Sequence, residues 1–117
     1  MMDNRNFIAK RAAAYFKSGD VVNLGIGIPS LCGSYAVDGV LFQSENGFIG
    51  IGPKAEGLMV TERYANAGGI NFVPVPGSSA FDVAMSFGVI RCGRLAATVL
   101  GALQVSAAGD LANWATP

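Results

Sequence analysis

Hydrophobic positions along the chain fall into short blocks, and their spacing changes from one block to the next. Ile8, Ala12, Tyr15 and Phe16 recur at steps of three and four, which places them on one face of a helix with Lys10, Arg11 and Lys17 off it. Ser18-Gly19-Asp20 ends that helix. Val21 to Ile26 is an apolar, β-branched run leading into Gly25-Ile26-Gly27-Ile28-Pro29, the pattern of a buried strand feeding a tight turn. Further strands are predicted over Val40 to Gln43, over Ile70 to Val75 with a stop at Pro76-Gly77, and over Ala96 to Leu100. Phe81 to Phe87 reads as a short helix capped by Ser78 or Ser79, and Val105 to Trp114 as a hairpin turning near Gly109-Asp110. Apolar strands alternating with helices predict an α/β fold, an open and mostly parallel sheet flanked by helices.

Composition adds a reason to look for a partner. The 117 residues suffice for one compact domain over 1–117. Apolar residues make up 51% but charged residues only 14%, against about 25% in an ordinary soluble domain. Gly, Pro, Asp or Arg interrupts every apolar stretch well short of the roughly 20 residues of a membrane span. A subunit interface therefore accounts for the excess better than a membrane does. Eight basic residues balance eight acidic ones without a basic run, so neither a nucleic acid nor an anionic membrane is the expected partner. Asp3, Arg5, Lys10 and Arg11 punctuate the N-terminus with no apolar core segment, the pattern of a cytoplasmic protein rather than a secreted one.

The chemistry open to the chain is narrow. It contains no His, which excludes Ser-His-Asp and Cys-His nucleophilic systems and the common zinc hydrolase sites. Cys32 and Cys92 lie far apart without ligand neighbours and read as buried free thiols, so no metal is expected. Gly25-x-Gly27-x-Pro29 is either an oxyanion or phosphate cradle or simply a turn out of a strand. Ser30 stands where a dinucleotide fingerprint needs its third Gly, and Pro29 and Leu31 do not open a convincing helix. Asn23 interrupts an apolar strand and must either satisfy its amide internally, the commoner outcome, or reach a ligand. Glu45 lies between a strand end and a glycine-rich loop, where open α/β sheets place ligands. Asn46 offers it an amide, and Gly47 and Gly50 unshielded N–H groups, for charge developing on a carbonyl oxygen. From position alone a solvated loop carboxylate is the slightly favoured reading of Glu45.

Asn-Leu-Gly-Ile-Gly-Ile-Pro at 23–29 followed by Gln-Ser-Glu-Asn-Gly at 43–47 resembles the β subunit of class I coenzyme A transferases acting on 3-oxoacids and acetate. The likeness continues through Gly50-x-Gly52-Pro53, Asn66-Ala67-Gly68, Pro76-Gly77, Ser86-Phe87, Ile90-Arg91-x-Gly93, Leu100-Gly101-Ala102, Gln104-Val105 and Leu111-Ala112-Asn113-Trp114. It implies reversible transfer of CoA between an acyl-CoA and a free carboxylic acid, with Glu45 as nucleophile and a glutamyl-CoA thioester as intermediate. It further implies that Asn23 contacts the thioester end of CoA, and that Gly25, Gly27, Ser44, Asn46 and Gly47 line the substrate site. CoA is then a substrate and not a resident cofactor, and an α subunit supplies the other wall of the site within a hetero- or homo-oligomer. A carboxylate suits this chemistry because it is ionised at neutral pH without a base.

Three departures from the family pattern stand out. The connection from Pro29 to Glu45 is shorter than usual by an even number of residues, which preserves strand parity. Gly69 occupies a position where many relatives carry a Lys that helps bind CoA. The sequence stops at Pro117, ahead of a glycine-rich stretch that supplies oxyanion donors in relatives, so the domain is expected to be incomplete. A catalytically silent assembly module and a thioesterase that admits water to the same Glu are the competing readings.

Overall fold

The computed structural model describes residues 2–115. Helix α1 (Asn4–Ala13) starts at Asp3, whose carboxylate accepts the Asn6 N–H at 2.7 Å. That bond holds the Asp3 carboxyl below its ordinary range. Strand β1 (Val21–Leu24) follows, then a 3₁₀ helix over Pro29–Ser34. β2 (Leu41–Ser44) turns directly into β3 (Phe48–Lys54), and a one-turn 3₁₀ segment, Gly57–Met59, leads towards the long β4 (Phe72–Ala80). Helix α2 (Val83–Arg91), β5 (Ala97–Val99) and the hairpin β6 (Gln104–Val105) with β7 (Leu111–Ala112) complete the described chain.

Five strands form one open sheet in the order β4-β3-β2-β1-β5. β1 lies parallel to both neighbours, with Asn23 beside Gln43 on one side and beside Thr98 on the other. β3 joins β2 antiparallel through a tight reversal, and β4 joins β3 antiparallel after a long connection. The protein is thus an α/β fold with helices flanking a mixed sheet whose β2-β1-β5 half is parallel. Side chains alternate across strands, so Val22 and Phe42 share one face while Asn23 and Gln43 share the other. The first face carries the core: Ala9, Ala13, Phe16, Val22, Cys32 and Phe42, with Phe16 meeting Phe42 edge-on at 6.3 Å. The second face receives Ser86 from α2. Phe48, Tyr64 and Phe72 form a separate aromatic cluster at the antiparallel end.

Several expectations are corrected. α1 turns Ala9 and Ala13 inward, whereas Ile8 and Tyr15 are exposed. Only Ala12 and Phe16 of the expected face pack on the core, because small residues let a helix axis approach a sheet closely. Pro29 does open a helix, but a 3₁₀ one, in which Pro29 and Cys32 fall on one eclipsed edge and are both buried. The glycine-rich segment after Glu45 is strand β3. β4 does not stop at Pro76-Gly77 but runs on through Ser78 and Ser79 to Ala80, and α2 is capped instead by Asp82, which accepts the Met85 N–H at 2.8 Å. Proline is tolerated there because β4 is an edge strand with no ladder partner on its far side. Cys92 is exposed at the end of α2, and only Cys32 is buried. Among the described residues no helix is long and apolar enough to cross a membrane.

Candidate active site

Because β2, β1 and β5 are parallel, the segments after them leave the sheet at one edge, where open α/β sheets gather their ligand-binding groups. Gly25 to Pro29 follows β1, Glu45 to Gly47 follows β2, and Leu100-Gly101 follows β5. Gly25 stays tied to β5, donating its N–H to the Val99 carbonyl at 3.0 Å. A Cβ at Gly25 would press on that same carbonyl and on Leu100. Gly27 takes φ +87°, and its carbonyl accepts the Ser30 hydroxyl at 2.7 Å, which closes the turn.

Glu45-Asn46-Gly47 is the three-residue loop joining β2 to β3. Gly47 at φ +115° donates its N–H to the Ser44 carbonyl at 3.1 Å and accepts the Phe81 N–H at 2.9 Å. A Cβ on Gly47 would overlap the Phe81 carbonyl, so both the turn and the approach of the chain entering α2 require glycine. The Gly47 N–H is therefore engaged in the turn itself.

A second loop braces this one. Asn66 folds the chain back by accepting the N–H groups of Gly68 and Ile70 on its side-chain oxygen, at 2.9 and 3.1 Å. The loop donates the Ala67 N–H to the Ser44 hydroxyl at 2.9 Å, and the Asn46 amide donates to the Ala65 carbonyl at 2.8 Å. A Cβ on Gly68 would meet the Ile26 side chain, so the same loop spans from the β1 turn to the β2–β3 turn. Gly69 closes it at φ +74°. Ser44 and Asn46 are thus engaged with the brace. Glu45, half-buried between them, has no hydrogen-bond or ion-pair partner for its carboxylate among the described residues.

Beneath the loop lies a buried polar chain. Asn23 donates its amide to the Gln43 side-chain oxygen and, at 3.4 Å, to the Gln43 carbonyl. Gln43 donates to the Ser86 hydroxyl at 2.7 Å and to the Ser44 carbonyl at 3.1 Å, while Ser86 donates to that carbonyl at 3.4 Å. All four residues are nearly or wholly inaccessible, and among the described residues no buried side-chain N or O lacks a partner. Asn23 therefore has the internal partner expected of a polar residue in an apolar strand. Gln43 and Ser86 were legible by the same rule, since each interrupts an apolar run, Val40-Leu41-Phe42 and Val83-Ala84-Met85 respectively. Their juxtaposition was not legible, because it depends on where the fold sets α2 against β2.

Comparison with known proteins shows the family of the chain. Residues 6–117 match the family model for coenzyme A transferase. The chain is 50% identical over 115 residues to the beta chain of a probable coenzyme A transferase of Bacillus subtilis, covering 97% of this chain and 53% of that protein. It is 46% identical over 121 residues to the beta chain of the acetate CoA-transferase of Escherichia coli, covering 99% and 53%. It is also 46% identical over 115 residues to one subunit of a succinyl-CoA:3-ketoacid coenzyme A transferase of Helicobacter pylori, covering 97% and 55%. The chain spans about half the length of the curated relatives it matches.

Proposed function

The chain belongs to the coenzyme A transferase family, and on that premise we propose that it acts within a β subunit to move CoA between an acyl-CoA and a free carboxylic acid, with Glu45 as nucleophile. The observation that carries this reading is the position of Glu45: a half-buried carboxylate at the carboxyl edge of the parallel strands, on a loop braced from two sides. In the reaction the Glu45 carboxylate adds to the thioester carbonyl and CoA thiolate leaves, giving a mixed anhydride. The thiolate then attacks the glutamyl carbonyl, releasing the first acid as its carboxylate and leaving CoA on Glu45 as a thioester. An incoming carboxylate reverses both steps, so bonds and charges balance without metal, resident cofactor or external base. A carboxylate is a weak nucleophile, so the rate must come from oxyanion donors and from binding of the remote CoA moiety. Gly25 and Gly27 flank the Glu45 loop along the same edge and are assigned to substrate contact, with Asn23 buried beneath the loop.

An α subunit is the partner in this reading, and acetate or a 3-oxoacid is the class of acceptor, as in the names of the relatives. The free thiols Cys32 and Cys92 are in keeping with a cytoplasmic, reducing compartment. The test is to incubate the full-length β polypeptide and its α subunit with acyl-CoA and then borohydride, which reduces a glutamyl thioester to an alcohol. Glu45 is expected to carry the modification, and Glu45→Gln to lose on the order of a thousandfold or more in turnover. Normal turnover with Glu45 unmodified would sink the reading. Release of free CoA without an acceptor acid would instead identify a thioesterase.

A further inference from the structure

We propose that Ser86 is a positioning residue for this reaction: from α2 its hydroxyl fixes the Gln43 amide and the Ser44 carbonyl, and through them the place of Glu45. The inference rests on Glu45 being the nucleophile. It follows from the direction of each hydrogen bond. The Ser44 carbonyl can only accept, and it is met by two donors, the Gln43 amide nitrogen at 3.1 Å and the Ser86 hydroxyl at 3.4 Å. Since the Ser86 proton points at that carbonyl, its oxygen is left to accept from the second hydrogen of the Gln43 amide, at 2.7 Å. Both Gln43 amide hydrogens are then engaged, so its side-chain oxygen must face Asn23. Asn23 in turn must present its NH₂ there and direct its own oxygen away from Gln43.

One hydroxyl thus ties the Gln43 amide to the peptide before the nucleophile. With Ser86 absent, the Ser44 and Gln43 carbonyls still call for the same amide orientations, but the second Gln43 hydrogen loses its acceptor and the peptide before Glu45 loses a donor. The Ser44-Glu45 peptide is the last fixed point before the nucleophile, and Ser86 reaches it from a helix remote in sequence. Because all members are buried, water cannot substitute for the missing hydroxyl. Displacement of a reacting group by about 1 Å costs on the order of a hundredfold in rate. Residues that orient metal ligands from behind contribute about 10- to 100-fold, and a loss of that order is expected here.

The experiment compares wild type, Ser86→Ala, Gln43→Met and the double variant, each as full-length β polypeptide assembled with its α subunit. Turnover is normalised to the Glu45 sites that borohydride titrates, so misfolded molecules do not enter kcat, and a variant that fails to assemble is represented by the other. Both single variants are expected to lower kcat about 10- to 100-fold with KM for acyl-CoA nearly unchanged. The double variant is expected to be no worse than Gln43→Met alone, because the two residues act as a unit. A purely structural serine would lower the melting temperature and leave kcat per titrated site at the wild-type value, which overturns the inference. Losses that simply multiply in the double variant overturn it as well. Wild type active and Glu45→Gln inactive, with Ser86→Ala at full kcat, rejects this inference alone. A Glu45→Gln variant that retains transfer rejects the nucleophile and this inference together.

Discussion

The two thiols differ in what can reach them. Cys32 lies on the 3₁₀ helix, fully buried against the core, and burial pushes its thiol above the ordinary range, whereas Cys92 is exposed at the end of α2. A thiol reagent under native conditions is expected to label Cys92 rapidly and Cys32 only as the chain unfolds, and Cys92→Ala is expected to remove the fast phase alone. Labelling of both at one rate would contradict the assignment. The raised Cys32 value also has a sign: its contribution to stability is present below the ordinary thiol value of 9.0 and is lost as pH rises past it, because the unfolded chain then ionises more readily than the folded one. At this scale Glu45, Asn23 and their neighbouring glycines were legible, since a carboxylate beside glycines and an amide in an apolar strand are visible in sequence. Which atoms of Ser44, Asn46 and Gly47 remain open to a ligand was not, because their partners Ala67, Ala65 and Phe81 come from elsewhere in the chain.

The β2–β3 hairpin is the element on which the site depends. Its loop needs a positive φ at Gly47, and the chain entering α2 passes against that same residue. Gly47→Ala must therefore either strain the loop or push Phe81 away. We expect a loss of about 1–3 kcal/mol in urea unfolding together with a fall in CoA transfer, since the peptide beside Glu45 shifts. Wild-type stability would show that the turn has another low-energy conformation. β3 was missed from sequence because Gly50, Gly52 and Pro53 read as loop punctuation. Here the glycines instead admit β4 closely, with a Cβ at either position meeting β4 backbone or side chains. The face of α1 was half misread because Ala9 and Ala13 carry a weak hydrophobic signal, although their small size suits a helix lying close on a sheet.

Across the whole molecule, burial is uneven. Beyond residue 82, Ser86 is the only buried residue among those described. Val83, Met85, Leu103, Leu111 and Trp114 are all more than half exposed. Part of the 51% apolar content is thus exposed on α2 and the β6–β7 hairpin, and further exposed apolar side chains, among them Phe7, Tyr15, Ile26 and Leu58, lie elsewhere on the chain. Exposed apolar surface on this scale favours association. The 117-residue chain expressed by itself is expected to self-associate in sedimentation velocity and to bind a hydrophobic dye. Val83→Lys combined with Met85→Lys should reduce both effects, and a monodisperse, dye-silent chain would show that these side chains find cover among themselves.

Local order was decided by the sequence itself: a buried strand into a glycine turn at 21–29, a second strand ending at Glu45, a helix read over 81–87 and found at Val83–Arg91, and a hairpin around Gly109, because periodicity and turn chemistry act over a few residues. The two motifs that mark the family are likewise contiguous. Tertiary structure alone decided that Asn23, Gln43, Ser44 and Ser86 form one buried chain, and that the 65–71 loop braces Glu45. Those pairings depend on parallel register and on where α2 and the 65–71 loop come to lie, and neither leaves a periodic trace along the chain.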